Sequence, residues 1–133
     1  MYVSEEKNFK IILVDENTQY RNTLASRLRL QGFHVELVAG GFQLLHILEK
    51  HWDYNLVILH ENMTDMSAEE MISLIRTQKS KGELPILFIS KNENEEDICD
   101  MIFNGVNEYI VKSANFQPIV DRAQKYFTLL KNS

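Results

Sequence analysis

Three short runs of the sequence are almost wholly apolar, and this feature constrains the fold more than any other. They are Lys10–Val14, Asn55–Leu59 and Pro85–Ser90, with the letters KIILV, NLVIL and PILFIS. Strands that read as continuous apolar runs are typical of a parallel sheet that is covered on both faces. Two further segments, Phe33–Val38 and Asn107–Lys112, mix polar with apolar residues, which suits the two exposed edges of the same sheet.

Helical patterns follow each of these five segments. Their apolar residues recur three and four positions apart, and two of the helices are expected to end at Gly32 and Gly105. The order is therefore strand then helix, repeated five times, which predicts one α/β domain of the (βα)5 type with a doubly wound parallel sheet. We expect residues 1–8 to form an N-terminal tail and residues 9–131 to form the domain.

Composition limits the classes of function that this chain can have. It has 133 residues, of which 44% are apolar and 25% charged, the profile of a soluble single domain. Its one cysteine, Cys99, rules out an internal disulfide and suits a reducing compartment. The net charge is −5 with scattered Lys and Arg, and no apolar run approaches the ~18 residues of a membrane span. We therefore expect a cytoplasmic protein that binds neither nucleic acid nor membrane.

Polar residues stand where each central strand of the predicted sheet ends. In sheets of this kind, chemistry gathers outside the carboxyl ends of the strands. We expect two acids, an imidazole, a hydroxyl and an ammonium group to converge there on one crevice. These groups belong to Asp15, Glu16, His60, Ser90 and Lys112. The first turn between strand and helix contains no glycine, which argues against a dinucleotide site or a P-loop.

With these residues in place, nearly the whole chain resembles the receiver domain of two-component response regulators. The letters ILVDEN look like the acidic pair of that family, carried here by Asp15 and Glu16. LPILFIS places Ser90 at the position of the family's hydroxyl residue. YIVKS places Lys112 at the position of its lysine and Tyr109 at that of its switch aromatic. The resemblance implies a flavodoxin-like fold with the strand order 2-1-3-4-5.

The resemblance breaks at the end of the third strand. The family reads an apolar run, then the phosphoacceptor aspartate, two further residues and methionine, whereas this chain reads LVIL followed by His60, Glu61, Asn62 and Met63. Met63 fixes the register, so His60 stands in the position of the aspartate. Glu61 is not expected to replace it, because adjacent strand residues point to opposite faces of a sheet. Ser113 also stands where the family usually has a proline.

The resemblance implies that no aspartyl phosphate forms at position 60 and that Mg²⁺ binding is weak or lost. In the family three carboxylates hold Mg²⁺, a hard cation that prefers oxygen ligands, whereas imidazole suits zinc, copper or nickel. Asp15 and Glu16 would then be weak or vestigial metal ligands, and we expect no cofactor. Three roles stay open for His60: an inert replacement paired with an acid, a transition-metal ligand beside Asp15 and Glu16, and a phosphohistidine.

Four residues are candidates for a switch or an interface: Tyr109, Phe103, Tyr126 and Leu129. The three on helices lie off the centres of the apolar core faces, and Tyr109 lies on the neighbouring strand. Aromatic and apolar residues of this kind are enriched at interfaces. We expect a protein partner or a second copy of the chain to bind the face of the fourth helix, fifth strand and fifth helix.

Our interpretation of the sequence is a stand-alone pseudo-receiver and not an enzyme. It would act through protein–protein interaction in a bacterial two-component or phosphorelay-type pathway. The alternative is a regulator that senses a divalent transition metal or pH through Asp15, Glu16 and His60. A flavodoxin-like cofactor carrier is a third class. We also expect Cys99 and Trp52 to be packing residues.

Overall fold

Five strands and five helices alternate along the computed structural model, which describes residues 5–51 and 53–132. The strands are β1 (Lys10–Val14), β2 (His34–Val38), β3 (Leu56–His60), β4 (Ile86–Ser90) and β5 (Glu108–Val111). The helices are α1 (Thr18–Leu30), α2 (Gly41–Lys50), α3 (Ala68–Arg76), α4 (Glu95–Phe103) and α5 (Gln117–Lys131). The predicted alternation of strand and helix is confirmed.

The five strands pair in parallel in the order β2-β1-β3-β4-β5. Every residue of β3 and β4 is buried, whereas β2 and β5 at the edges are partly exposed. This is the doubly wound, flavodoxin-like architecture that the sequence predicted, with the mixed segments at the edges. Among the described residues, no helix combines the length and the apolar character that a membrane crossing needs.

Alternate residues of the central strands face opposite sides of the sheet and build two apolar cores. Ile12 and Val14 pack with apolar residues of α2, α3 and α4, whereas Ile11 and Leu13 pack with those of α1 and α5. Because helices cover both faces, the inner strands have no polar alternation, and this explains their continuous apolar runs.

The ends of the helices follow from local chemistry. The side chain of Asn17 accepts the N–H of Tyr20 at 2.9 Å, and Ser67 accepts the N–H of Glu70 at 3.1 Å. Gly32 follows α1 with φ of +93°, and a β-carbon at this position would clash with the carbonyl oxygen of Glu5. Glycine is therefore required where the chain turns from α1 into β2.

Arg76, the last residue of α3, ties this helix to the amino ends of β4 and β5. Its guanidinium donates five hydrogen bonds of 2.9–3.1 Å, all to neutral oxygens. The acceptors are the carbonyls of Lys79, Ser80, Leu84 and Gly105 and the side chain of Asn107. Burial lowers the pKa of Arg76 below its ordinary value. This side chain therefore fixes two loops, α3–β4 and α4–β5, at the end of the sheet away from the predicted site.

The described part of the N-terminal tail lies against the turn between α1 and β2. The N–H of Lys7 donates to the carbonyl of Gly32 at 2.9 Å, and a carboxylate oxygen of Glu6 lies 2.7 Å from Nε2 of His34. Residues 1–4 lie outside the described residues, and the boundary between tail 1–8 and domain 9–131 stays a prediction.

One packing prediction is wrong and another falls outside the described residues. Cys99 is exposed, because it lies on α4 about 200° around the helix from the buried Met101. Trp52, the other predicted packing residue, is not among the described residues.

Candidate functional site

Three polar side chains are buried together at the carboxyl end of the sheet. Asp15, His60 and Ser90 are each no more than 2% exposed. The strands are in register, since Val14 of β1 lies opposite Leu59 of β3, and His60 lies opposite Ile89 of β4. The structure thus brings these three predicted site residues to one edge of the sheet.

Both hydrogen bonds that the Asp15 carboxylate accepts are made by the same oxygen. Oδ1 accepts the N–H of Asn17 at 2.8 Å and the side-chain amide of Asn62 at 2.7 Å. Oδ2 is buried and has no hydrogen-bond partner among the described residues. The Asn62 side chain also accepts the N–H of Glu16 at 3.3 Å. Asn62 therefore joins the loop after β1 to the loop after β3.

Glu16, the second acid of the predicted pair, is tied to the loop after β3. Its carboxylate accepts the hydroxyl of Thr64 at 2.9 Å and also the backbone N–H of Thr64. The two acids therefore have different roles in the structure. Asp15 is buried beside His60, whereas Glu16 is partly exposed and fastens one loop to another.

The His60 side chain is buried, and its surroundings favour the neutral form of the ring. Its Nδ1 accepts the N–H of Asn62 at 3.3 Å, which places the proton of a neutral ring on Nε2. Nε2 is buried and has no hydrogen-bond partner among the described residues. Burial lowers the pKa of His60 below its ordinary value and outweighs the nearby Asp15 carboxylate, which raises it.

Tyr20 of α1 covers the crevice next to His60. The centres of the Tyr20 and His60 rings are 5.6 Å apart, and Tyr20 also packs edge-on against Phe116 at 5.0 Å. The ammonium group of Lys112 lies over the Tyr20 ring, 4.4 Å from its centre. Burial and the charge of Asp15 raise the pKa of Tyr20 to about 12, so the phenol stays protonated.

The residues at this edge of the sheet differ from the three carboxylates that hold Mg²⁺ in the family. Position 60 offers an imidazole nitrogen in place of a carboxylate oxygen, and the Glu16 carboxylate is occupied by Thr64. In the part of the chain that the structure describes, no three His, Cys, Asp or Glu side chains are grouped to hold a metal ion. The arrangement therefore does not favour the transition-metal role of His60 with Asp15 and Glu16 either.

The expectation that Glu61 points away from the site is wrong. Its carboxylate accepts the Ser90 hydroxyl at 2.5 Å and the backbone N–H of Lys91 at 3.0 Å. Strand alternation does not apply to Glu61, because β3 ends at His60 and Glu61 belongs to the following loop. Ser90 is therefore bound to Glu61, and its hydroxyl is not directed at His60.

The four candidate interface residues differ in how exposed they are and in what they pack against. Phe103 is 89% exposed and lies about 200° around α4 from the buried Met101, on the outer surface of the helix. Leu129 on α5 is 56% exposed. Tyr109 packs against the core on the α2, α3 and α4 side of the sheet, whereas Tyr126 packs against the core on the other side.

The ionisable groups between β5 and α5 pair with each other. Glu108 of β5 forms ion pairs with Arg122 at 2.7 Å and Lys125 at 3.5 Å. Burial and a hydrogen bond with Glu108 raise the pKa of Tyr126. Of the four candidate interface residues, Phe103 and Leu129 present apolar surface to solvent, whereas Tyr109 and Tyr126 are half-buried.

Three residues of the site were missed in the sequence: Tyr20, Asn62 and Thr64. Tyr20 had a detectable signal, because it continues the apolar stripe of Leu24 and Leu28 toward the start of α1. Asn62 and Thr64 had none, since their partners Asp15 and Glu16 lie 47 and 48 positions away in the sequence.

Comparisons with known proteins agree with this architecture. The chain matches the response regulator receiver domain family over residues 11–124. The chemotaxis protein CheY-3 of Vibrio cholerae is 30% identical over 125 residues, which are 93% of this chain and 95% of that protein.

Solved structures show the same fold. The chemotaxis response regulator CheY4 of Vibrio cholerae superposes with a TM-score of 0.80 at 24% identity, over 89% of this chain and 98% of that one. A probable two-component system response regulator/GGDEF domain protein superposes with a TM-score of 0.84 at 20% identity, over 92% of this chain and 50% of that longer protein. With the family match and the relative at 30% identity, the chain belongs to the response regulator receiver domain family.

Proposed function

We propose that this chain is a pseudo-receiver that acts through protein–protein interaction in a bacterial two-component or phosphorelay-type pathway. Receiver domains are signalling domains that work with protein partners, and membership of the family gives this chain that general role. The finer proposal is that no aspartyl phosphate forms at the end of β3, so that binding takes place without this modification.

The burial of His60 at the carboxyl end of β3 is the observation that carries the proposal. The side chain at this position is an imidazole that is 2% exposed, with the Tyr20 ring packed against it. The neighbouring carboxylates are engaged: Asp15 accepts two hydrogen bonds, and Glu61 accepts from Ser90 and Lys91. No aspartate at position 60 is present to accept a phosphoryl group.

The chemistry of the His60 ring also disfavours a phosphohistidine. A phosphoryl group must be attacked by a nitrogen lone pair. The lone pair of Nδ1 accepts the Asn62 N–H, and Nε2 carries the proton of the neutral ring. Neither nitrogen offers an available lone pair in this arrangement, so we assign no group-transfer activity to His60.

The face formed by α4, β5 and α5 is our proposed partner surface. It carries exposed apolar side chains from each of its three elements: Ile102, Phe103, Val111 and Leu129. The same elements carry charged groups, since Arg122 and Lys125 of α5 pair with Glu108 of β5. Exposed apolar residues bordered by charged groups are typical of a protein-binding surface.

Capture of a partner, with matched phenylalanine variants, tests this function. The purified chain is cross-linked in an extract of its host, and the captured proteins are identified by mass spectrometry. We expect Phe103→Ala to reduce capture, because it removes the most exposed apolar side chain of the face. Phe42→Ala is the control, since Phe42 is also an exposed phenylalanine but lies on α2. Equal capture by both variants, or no specific capture by the parent, contradicts the proposal.

A second candidate function is pH sensing within the crevice. Two buried atoms favour it, since Asp15 Oδ2 and His60 Nε2 have no hydrogen-bond partner among the described residues. Protonation of His60 would place a second N–H on the ring and break the hydrogen bond from Asn62. A partner affinity that changes between neutral and mildly acidic pH in the parent but not in His60→Gln would support this candidate.

A further inference from the structure

The carboxyl end of β4 forms a site with two hydrogen-bond donors, and the chain fills it with its own carboxylate. The donors are the hydroxyl of Ser90, which is 1% exposed, and the backbone N–H of Lys91. Each donates to a different oxygen of Glu61, at 2.5 and 3.0 Å. Two donors that converge on one anionic group make a charge-assisted pair, which is stronger than neutral hydrogen bonds.

The hydrogen bonds continue from this site toward β5. Ser90 Oγ accepts the N–H of Asn92 at 3.0 Å, and the hydroxyl of Tyr109 donates to the carbonyl of Asn92 at 2.7 Å. The Tyr109 ring packs against Phe88, with the ring centres 5.5 Å apart. We call the set Glu61, Ser90, Lys91, Asn92 and Tyr109 the loop clamp. It holds the loop after β4 at both ends, from the crevice and from β5.

The loop clamp also reaches the start of α4. The side chain of Asn92 accepts the N–H of Asn94 at 2.9 Å and donates to Asp97 at 2.8 Å. Asn94 is the N-cap of α4 and accepts the N–H of Asp97 at 3.0 Å. The position of Asn92 therefore helps to fix the orientation of the first turn of α4.

We propose that the Glu61 carboxylate is a built-in regulatory anion that holds the loop clamp and the start of α4 in one arrangement. A receiver domain is expected to obtain an anion at this edge of the sheet from a transferred phosphoryl group. In this chain the two donors at the end of β4 are already satisfied by Glu61. This inference rests on the proposed function and concerns the regulation of the same site: the partner surface is presented constitutively.

The ionisation of Glu61 is consistent with this role. Burial raises the pKa of the Glu61 carboxyl, but hydrogen bonds from the Lys91 N–H and the Ser90 hydroxyl outweigh burial, and the net result is a lowered pKa. The carboxylate is thus charged at neutral pH and does not depend on a modification for its charge.

Amide hydrogen exchange in Glu61→Ala tests the loop clamp directly. We expect the amides of Lys91 and Asn92 to exchange about tenfold faster or more, the change expected for the loss of a hydrogen bond to a charged group. NMR signals of Tyr109 and of the first turn of α4 should move as well. In the control Glu93→Ala, which removes an exposed carboxylate from the same loop, these signals should stay in place. Unchanged Tyr109 and α4 signals in Glu61→Ala overturn the proposal.

Added acetate provides a second test, with Glu61→Gln as the variant that keeps the size of the side chain. Acetate should move the Lys91 and Asn92 signals of Glu61→Ala back toward those of the parent, since it offers the same carboxylate to the same two donors. The parent and Glu61→Gln should respond little, because their site is filled. No response in Glu61→Ala, or an equal response in the parent, overturns the proposal. If Glu61→Ala does not fold, altered Lys91 and Tyr109 signals in Glu61→Gln are required instead.

Partner capture separates a failure of this inference from a failure of the proposed function. If the parent captures a partner and Glu61→Ala captures less, both stand. If both capture it equally although the loop clamp has opened, the regulatory role of Glu61 is wrong and the interaction function remains. If the loop clamp opens in Glu61→Ala but the parent captures nothing specific, the proposed function is wrong, and so is the constitutive presentation that rests on it.

Discussion

The ammonium group of Lys112 lies over the ring of Tyr20, 4.4 Å from its centre. A cation in this position is attracted by the electron-rich face of the ring. Tyr20 packs in turn against His60, so an aromatic side chain covers the place where a receiver domain is expected to expose an aspartate. The crevice at the carboxyl end of the sheet therefore contains an imidazole at position 60 with a tyrosine ring packed against it.

Small phosphodonors should leave this protein unmodified. Position 60 carries an imidazole whose Nδ1 is hydrogen-bonded to Asn62, and Tyr20 packs against the ring. Incubation with acetyl phosphate and Mg²⁺, followed by intact mass spectrometry, should show no added phosphoryl group. An acid-labile adduct on His60 would contradict the pseudo-receiver proposal, and an adduct on another side chain would show that the acceptor lies elsewhere.

Mild acid should destabilise the fold through His60. Burial lowers the pKa of His60, although Asp15 opposes this shift. A group with a lowered folded pKa binds its proton more readily in the unfolded chain. Neutral His60 therefore contributes fully to stability above its unfolded pKa of about 6.5. This contribution is lost as the pH falls through the lower pKa of the folded state. The free energy of unfolding should accordingly fall less in His60→Gln than in the parent between about pH 7 and pH 5.

Urea unfolding of each protein at several pH values measures this difference. His46→Gln is the matched control, because it makes the same substitution at a histidine that is exposed on α2 and lies outside the crevice. Glu61, whose pKa is lowered from 4.5, stabilises the fold throughout this window, and its stabilisation is lost only at lower pH, as the carboxylate takes up a proton. Equal slopes for the parent and His60→Gln would show that His60 does not titrate in this window.

Replacement of Arg76 by alanine should strongly destabilise the domain. The guanidinium donates to four backbone carbonyls and to the side chain of Asn107, all of them neutral acceptors. Loss of these bonds leaves several acceptors without their donor, so we expect the free energy of unfolding to fall by about 3 kcal/mol or more. Arg76→Lys should recover only part of this loss, since an ammonium group cannot reach all five acceptors. A loss of less than about 1 kcal/mol on urea unfolding would mean that water replaces the guanidinium.

Much of the fold could be predicted because its determinants are local. Apolar runs specify the inner strands, and Ser67 and Gly32 mark a helix start and a helix end within a few residues. The gathering of Asp15, His60 and Ser90 follows from parallel strands whose carboxyl ends meet at one edge. These inferences need only periodicity and the direction of the strands.

The pairing of side chains in the site could not be predicted in the same way. Glu61 follows the end of β3, so the alternation rule assigned it the wrong direction, and its partner Ser90 lies 29 positions away. Glu16 pairs with Thr64 in another loop, which no local pattern reveals. Such contacts depend on loop conformation and on which donors are near, and the sequence alone specifies neither.

His60→Asp should make the protein responsive to Mg²⁺. The substitution supplies the missing carboxylate beside Asp15, whose Oδ2 has no hydrogen-bond partner among the described residues. Two neighbouring carboxylates repel each other, and the contact of the imidazole with Tyr20 is lost. We therefore expect the metal-free variant to be less stable than the parent by ~1–2 kcal/mol.

Thermal melts with and without Mg²⁺ test this prediction, because a ligand that binds only the folded state raises stability by RT ln(1 + [L]/Kd). Millimolar Mg²⁺ should raise the melting temperature of His60→Asp and leave the parent unchanged. His60→Asn is the control, since it has nearly the shape of aspartate without the charge and should not respond. Phosphorylation of His60→Asp by acetyl phosphate should be slow, because Lys112 contacts Tyr20 and Glu61 already occupies Ser90 and Lys91. If His60→Asp folds but Mg²⁺ does not raise its melting temperature, the hydrogen bond between Glu16 and Thr64 keeps the second carboxylate away from the metal. The crevice would then have lost the metal-binding geometry of the family.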